Sequence, residues 1–483
     1  MNITIVGGGI GGLTAALLLE RQGHQVTIYE KNEELGGRLA FQSNGRFVID
    51  QGPTIVLLPD LLLEILQDAG MDTSELELLS CDPLYDIYYA DGSTFRKWKE
   101  IDKQIVEVER QFPGESFHFK RYMEDMEAVY QFGFEAFLSR IFKRKRDFLS
   151  FTNAKFVWQS QSYKNVQDFL SLYFDDIRLR HAYALQSLYI GGSPHNVPAL
   201  YGLISYSEHA FGIWYLKGGY ASLIPKLEQE CATRNITIYK QTEVERIVTK
   251  NKKAQGVVIN GNFQPSDAVV FNGDYPHLDT LLDTKKKAIK KYQPSSGCVL
   301  VYLGVNKRWN TAITHQFFLS DDFDQNMKEV FKENKAPTDP SCYVFNPCAI
   351  DSEAAPAGTS VLYFLIPVPS AMKLSDEVLD ALVDQQIQRV ENSCFKGLQA
   401  SIEWKEVRTP RDAEAEGNYM GGSFGIAPNI NQSGGFRPQV SHPTISGLYA
   451  VGASVHPGGG IPIVMQGARL LSELIEKEME VNA

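Results

Sequence analysis

The chain has 483 residues, 43% of them hydrophobic and 22% charged, and a formal net charge of −11. That composition is ordinary for a globular protein, the length asks for two or three lobes, and the acidity argues against nucleic acid as the main partner. There is no apolar run of about 18 residues to suit a membrane-spanning helix, and no cationic leader precedes the first apolar stretch. Residues 2–6 read as a short buried strand that runs into a G-x-G-x-x-G turn on Gly7, Gly9 and Gly12. A helix follows over 13–21, Gly23 ends it, and a second strand over 25–29 closes on Glu30 and Lys31. Gly7 permits the tight turn, Gly9 lets backbone approach a pyrophosphate, and Gly12 lets helix and strand pack closely. The helix N-terminus offers free N–H groups to phosphates. Glu30 falls where a carboxylate can accept from a ribose hydroxyl, and would repel a 2′-phosphate. Strand, turn, helix and acid together predict a dinucleotide-binding unit.

Leu35-Gly36-Gly37-Arg38 comes directly after the acid, then Asp50-Gln51-Gly52-Pro53-Thr54. A second glycine turn here resembles FAD proteins of the glutathione-reductase and amine-oxidase type. The resemblance implies that Gly37, Arg38, Gly52, Pro53 and Thr54 lie along an FAD, with Arg38 able to pair with its phosphate. Asp50 reads as structural, at a strand end beside the turn.

A helix is expected from Pro59 to Gly70, and a hairpin around Asp91-Gly92 joins strands at 85–89 and 94–96. Residues 115–190 read as helical and aromatic. Within them, Phe142 and Phe148 flank four consecutive cations, Lys143, Arg144, Lys145 and Arg146. This local inversion of charge has two readings: a contact with an anionic membrane surface, or a solvated basic turn between core helices. Strand–helix texture returns at 217, with a helix over 221–233 and strands at 236–239, 243–247 and up to 271. Residues 285–415 read as a second lobe, with buried strands at 298–304 and 360–367 and an amphipathic helix over 376–392. At the C-terminus a strand over 447–453 leads through Gly452, Ala453, His456 and Gly460 into a helix from Val464 to 477. Ile461 and Pro462 stand at this second glycine-rich strand-to-helix turn, which is another anion-binding geometry. Six cysteines without C-x-x-C or regular spacing read as free thiols of a reducing cytoplasm, and none pairs with a histidine at zinc-ligand spacing.

The run V-G-A-S-V-H-P-G-G-G-I-P-I-V, together with F-V-I-D-Q-G-P-T-I-V, S-L-Y-I-G-G-S-P and W-Y-L-K-G-G-Y, resembles the phytoene-desaturase-type family of carotenoid desaturases and oxidases. The similarity runs over essentially the whole chain and is greatest to enzymes of thirty-carbon pathways. It implies an α/β fold: a Rossmann-like FAD-binding domain, a second α+β substrate-binding lobe and a helical, membrane-associating part. The FAD domain would comprise residues 1–75, 217–284 and 416–483, the other lobe 76–216 and 285–415. In this family a valine at the position of Val244 presents its backbone to the adenine. The implied activity is FAD-dependent desaturation of an apolar thirty-carbon polyene of the dehydrosqualene type, with oxygen or a quinone as electron acceptor. The implied location is peripheral, on the inner face of the cell membrane. L-Y-D-I-Y-Y-A-D favours a desaturase, whereas Gly458-Gly459-Gly460 is closer to a diaponeurosporene-type terminal oxygenase. His456 is expected near the flavin, as a proton acceptor or as packing; no metal is expected. A flavin amine oxidase and a prenyl-binding carrier of the same fold are the rival readings.

Overall fold

The computed structural model describes residues 1–142, 145–148, 150–282 and 292–482. Two sheets organise them. The first is wholly parallel, in the order Leu448–Ala450, Ala268–Phe271, Asn2–Val6, Gln25–Tyr29, Thr237–Tyr239. Parallel strands are covered on both faces and so read as continuous apolar runs; Ala268–Phe271 is buried throughout. Helix Ile10–Arg21 crosses from the first strand to the second, and the C-terminal helix Ile461–Asn482 lies against it. Ala15 and Ala16, both fully buried, keep that helix close to its neighbours.

The second sheet has seven strands, in the order Ile402–Arg408, Gly297–Val305, Ser360–Val368, Cys342–Phe345, His315–Phe318, Tyr85–Tyr88, Thr94–Lys97. All pairings are antiparallel except that of His315–Phe318 with Tyr85–Tyr88. Side chains alternate between its faces. Val299, Val301, Val344 and Phe364 pack on one face with Leu382, Val383 and Ile387 of helix Asp376–Ser393. Leu300, Tyr302, Phe317, Tyr343 and Tyr363 turn to the other face, in a core shared with the helices that precede residue 212. Among the described residues no helix is long and apolar enough to cross a membrane.

Of the expected boundaries that move, two bear on the site. The strand expected from residue 243 begins at Arg246. Residues 242–245 instead run beside the first sheet, where Thr242 N donates to the Glu30 carbonyl at 2.8 Å. The C-terminal helix starts at Ile461 rather than Val464. Its first bond runs from Val464 N to Gly460 O at 2.8 Å, so Pro462 falls in the first turn, where no N–H is needed.

Candidate active site

One cavity of about 1220 Å³ joins the glycine turn of the first sheet to the inner face of the second. It exceeds the usual size of a small-molecule pocket, roughly 300–1,000 Å³. Its first half is built by the turn. Gly7 has φ +102°, and its N–H donates to Tyr29 O at 2.8 Å. A Cβ on Gly12 would stand 2.3 Å from Gly7 O, a backbone atom that has no room to retreat. Glu30 is buried and braces the turn: Oε2 accepts from Gly8 N at 2.7 Å, and Oε1 from Asn32 N at 2.9 Å. The second glycine turn closes on the first through Gly36 N to Gly8 O at 2.9 Å.

Gly7, Gly9, Glu30, Lys31, Gly37 and Arg38 all line this cavity, as do Gly52, Pro53, Thr54 and Val244. From the C-terminal turn Gly452, Ala453, Gly460, Ile461, Pro462 and Val464 join them; Gly12 lies beneath the surface. Arg38 Nη2 pairs with Asp274 Oδ2 at 3.0 Å, and its buried Nε has no partner among the described residues. Asp274 also accepts from Tyr419 N at 2.9 Å and from the Ser454 hydroxyl. Asn272 donates to Val451 O at 3.0 Å, while its buried Oδ1, against Gly9, has no partner. A dinucleotide fits this wall. Two buried polar atoms wait unpaired, and a Cβ on Gly458 would enter open space above the backbone. Gly12→Ala is expected to weaken FAD binding, because overpacking costs about 1–3 kcal/mol, roughly ten- to hundred-fold in affinity; a flavin titration checks it.

Asp50 is buried outside the cavity lining, where its carboxylate accepts from Tyr220 N at 3.0 Å and Ala221 N at 2.8 Å. Burial outweighs those bonds and pushes its carboxyl up to about 7. It anchors the chain as it re-enters the first sheet's layer. His456 lines the cavity at 2% exposure, with Nε2 at 2.9 Å from Arg140 O. Burial pushes its imidazole down to about 4, so it is neutral near pH 7, and its ring packs edge-on against Phe142 at 5.3 Å.

The far half of the cavity is apolar, walled by Leu185, Leu188, Ile190, Phe317, Leu319, Leu365 and Phe424. The carboxylates on the lining, Glu30, Glu34, Glu243, Asp274 and Glu416, belong to the segments around the two glycine turns and to the 416–418 loop that meets them. Behind Tyr189 lies a buried ion pair, Lys97 Nζ to Glu208 Oε2 at 2.9 Å, both side chains fully enclosed. Tyr85, Tyr189 and Gln186 also donate to that carboxylate, at 2.7, 2.9 and 3.1 Å. Desolvation holds the Lys97 ammonium below its ordinary range.

The basic-aromatic segment differs from its expected arrangement. Lys143 and Arg144 lie outside the described residues; Lys145 and Arg146 open a short helix, Lys145–Phe148. Phe142 is 3% exposed and Phe148 half-buried, and both pack with Phe137. Phe148 also meets Phe436, and Phe142 N donates to Gln439 Oε1 at 3.0 Å. These two rings therefore point inward, because the 434–439 loop offers them an apolar seat. The exposed aromatics follow instead: Phe151 at 86%, Trp158 at 74% and Tyr163 at 47%. Phe151 and Trp158 are seven residues apart on helix Phe151–Gln159, so they share one face. Tyr163 stacks on Trp158 and lines the cavity, which reaches the surface there.

A parallel sheet, a glycine turn braced by a buried acid and a second glycine-rich helix start define a dinucleotide-binding oxidoreductase. The model of the flavin-containing amine oxidoreductase family matches residues 10–474, and the chain belongs to that family, whose members use FAD. It is 46% identical over 475 residues to a 4,4'-diapolycopen-4-al dehydrogenase of Metabacillus indicus, covering 98% of this chain and 97% of that one. It is 30% identical over 500 residues to a 4,4'-diapophytoene desaturase (4,4'-diaponeurosporene-forming) of Staphylococcus aureus, with 99% of each chain covered. Among solved structures, an oxidoreductase from Methanosarcina mazei has TM-score 0.66 at 16% identity, covering 99% of this chain and 100% of that one. A putrescine oxidase variant has TM-score 0.68 at 13% identity, covering 100% and 99%. Identities this low speak for the fold alone.

Proposed function

We propose that the chain is an FAD-dependent oxidoreductase of thirty-carbon carotenoid biosynthesis that desaturates an apolar polyene of the diapophytoene type. The observation that supports this reading is the continuity of the cofactor wall with an apolar channel whose far half, among the described residues, is lined by no carboxylate. A hydrocarbon needs shape and exclusion of water, whereas a charged amine is best held by an anion, which the described lining of the far half does not offer. Bound FAD supplies the acceptor for a hydride from an allylic carbon. The protein's part is positional. Phe317, Leu319 and Leu365 hold the chain extended, and the glycine turns hold the cofactor across its path. His456, neutral and fixed by Arg140 O, belongs to the wall nearest the C-terminal turn.

A second reading is favoured by a specific observation. The relative at 46% identity is named for an aldehyde, the relative at 30% for a hydrocarbon. Terminal oxidation of a polyene aldehyde would use the same channel and the same cofactor wall. Oxygen or a quinone would reoxidise the cofactor in either case. Phe151, Trp158 and Tyr163 beside the opening support a peripheral contact with the inner face of the membrane, where such substrates dissolve.

Product mass separates the two. The protein, with FAD and lipid, is given a thirty-carbon desaturation substrate and, separately, a polyene aldehyde of the same length. Loss of hydrogen pairs from the first establishes a desaturase. Gain of one oxygen by the second establishes terminal oxidation. Turnover of neither, with FAD bound, overturns the substrate class.

A further inference from the structure

The walls of the far half are apolar except at a few hydroxyls, and one of these connects to a buried imidazole. Tyr343, on strand Cys342–Phe345, lines the cavity; so does Thr54, from the loop that follows the second glycine turn. Thr54 Oγ1 and the Tyr343 hydroxyl are 2.8 Å apart. The same hydroxyl lies 2.7 Å from Nδ1 of His315, which stands on the adjacent antiparallel strand. His315 is fully buried, with its ring stacked between Tyr343 and Phe345. Among the described residues its Nε2 has one partner, the Cys81 thiol at 3.6 Å. The three groups come from loop and strands 28 to 289 residues apart in sequence, yet they form one line from the cofactor side of the cavity into the protein.

The line has a direction. A tyrosine hydroxyl holds one proton and can accept in return. A neutral imidazole whose Nε2 carries its hydrogen toward Cys81 leaves Nδ1 as an acceptor. Tyr343 then donates to Nδ1, and its oxygen accepts from Thr54. Thr54 Oγ1 is left with lone pairs free to accept. We propose that Thr54, Tyr343 and His315 form a proton relay that draws the proton released by substrate oxidation off the cavity wall onto His315 Nδ1. This rests on the functional reading above.

The balance is simple. A desaturation removes a hydride from one carbon and a proton from its neighbour, and the two electrons left in that C–H bond become the new C=C bond. The hydride and its electron pair go to FAD. The proton goes to Thr54 Oγ1, as the threonine's own proton passes to the Tyr343 oxygen and the tyrosine's proton passes to His315 Nδ1. Burial pushes the His315 imidazole down to about 3, which keeps it neutral and ready near pH 7. So weak a base suffices, because a carbon next to a centre that has lost hydride is a strong acid. Among the described residues the titratable groups that act on Tyr343 are Cys81, whose thiol burial pushes up to about 12, and Asp50, while the Tyr189 and Tyr363 hydroxyls feel Tyr343 in turn. Burial raises both phenols well above their ordinary range, so they stay protonated and take no proton from the cavity side.

The test uses Tyr343→Phe, which keeps the ring and its contacts and removes the hydroxyl, with His315→Asn as a second break in the line. Flavin bleaching by the polyene that the wild type turns over is followed without oxygen, in H₂O and in D₂O. The relay predicts that both variants keep their yellow colour and KM, with a melting point lowered only by the buried groups each leaves unpaired. It predicts that bleaching slows by about 10²–10⁴-fold and that the solvent isotope effect of the wild type disappears. Bleaching at close to the wild-type rate overturns the relay. So does a slower rate that keeps the isotope effect, since the ring would then matter only for packing. A wild type bleached by neither polyene overturns the substrate reading instead. The relay is then decided on the FAD-free chain by imidazole ¹⁵N spectra, with His315→Asn assigning the signal. His315 Nδ1 must read as a hydrogen-bond acceptor and must shift on Tyr343→Phe; an unmoved signal overturns the relay.

Discussion

Lys97→Met is expected to cost about 3–5 kcal/mol of stability, read as a fall in the denaturant midpoint. The lysine is enclosed on all sides, with Nζ 2.9 Å from Glu208 Oε2 and 4.1 Å from the Tyr183 ring centre. Methionine matches the length of the side chain but leaves the Glu208 carboxylate buried without its cation. Three neutral donors remain on that carboxylate, and they do not supply a charge. A second substitution, Glu208→Gln, should restore much of the loss in the Lys97→Met background, because a buried pair is worth far less than either member left alone. The effect should also reach the cavity, since Tyr189 donates to Glu208 from the wall. A Lys97→Met chain as stable as the wild type would mean that Glu208 sheds its charge at no cost.

Glu30→Ala should lower FAD affinity more than any single glycine substitution. The carboxylate accepts from Gly8 N at 2.7 Å and Asn32 N at 2.9 Å while lining the cavity. Its removal deletes two hydrogen bonds to a charged acceptor, each about 1.5–3 kcal/mol, and the acceptor offered to the ribose. Some of that loss will appear as instability of the apo turn, so the two must be measured separately. A flavin titration reads the first and melting of the FAD-free chain reads the second. We expect at least a hundred-fold weaker binding, about 2.7 kcal/mol; unchanged affinity would take Glu30 out of the cofactor wall. Glu30→Gln should fall between, because its amide oxygen can serve one N–H while its NH₂ opposes the other.

The cofactor half of the site was legible because its parts are local. Gly7 to Glu30 is one strand–turn–helix–strand unit, and its spacing carries the chemistry. The C-terminal turn was legible for the same reason, apart from the first helical residues 461–463, which read as part of the turn. What the chain order hides is contact over long distance. Asp274 carries no local signal in the sequence, yet it holds Arg38, Tyr419 N and Ser454 together. Thr54, Tyr343 and His315 have no common spacing, and no local pattern marks them. The aromatics beside the cations pointed to a surface, but Phe142 and Phe148 found partners in a loop nearly 300 residues on. Residues 151–163, with fewer cations to draw the eye, carry the exposed rings.

The order of strands in the parallel sheet also bears on how the protein is made. Its edge strand, Leu448–Ala450, pairs with Ala268–Phe271, and the glycine-rich turn after it supplies one wall of the cofactor cleft. A ribosome therefore completes the other four strands of this sheet and all seven of the second before that wall exists. Until then the nascent protein holds a half-built cleft and an uncovered hydrophobic sheet edge, a state prone to aggregation. Flavin supply should matter most once that turn has emerged, and a premature stop ahead of Leu448 should leave an insoluble chain rather than a weakened enzyme.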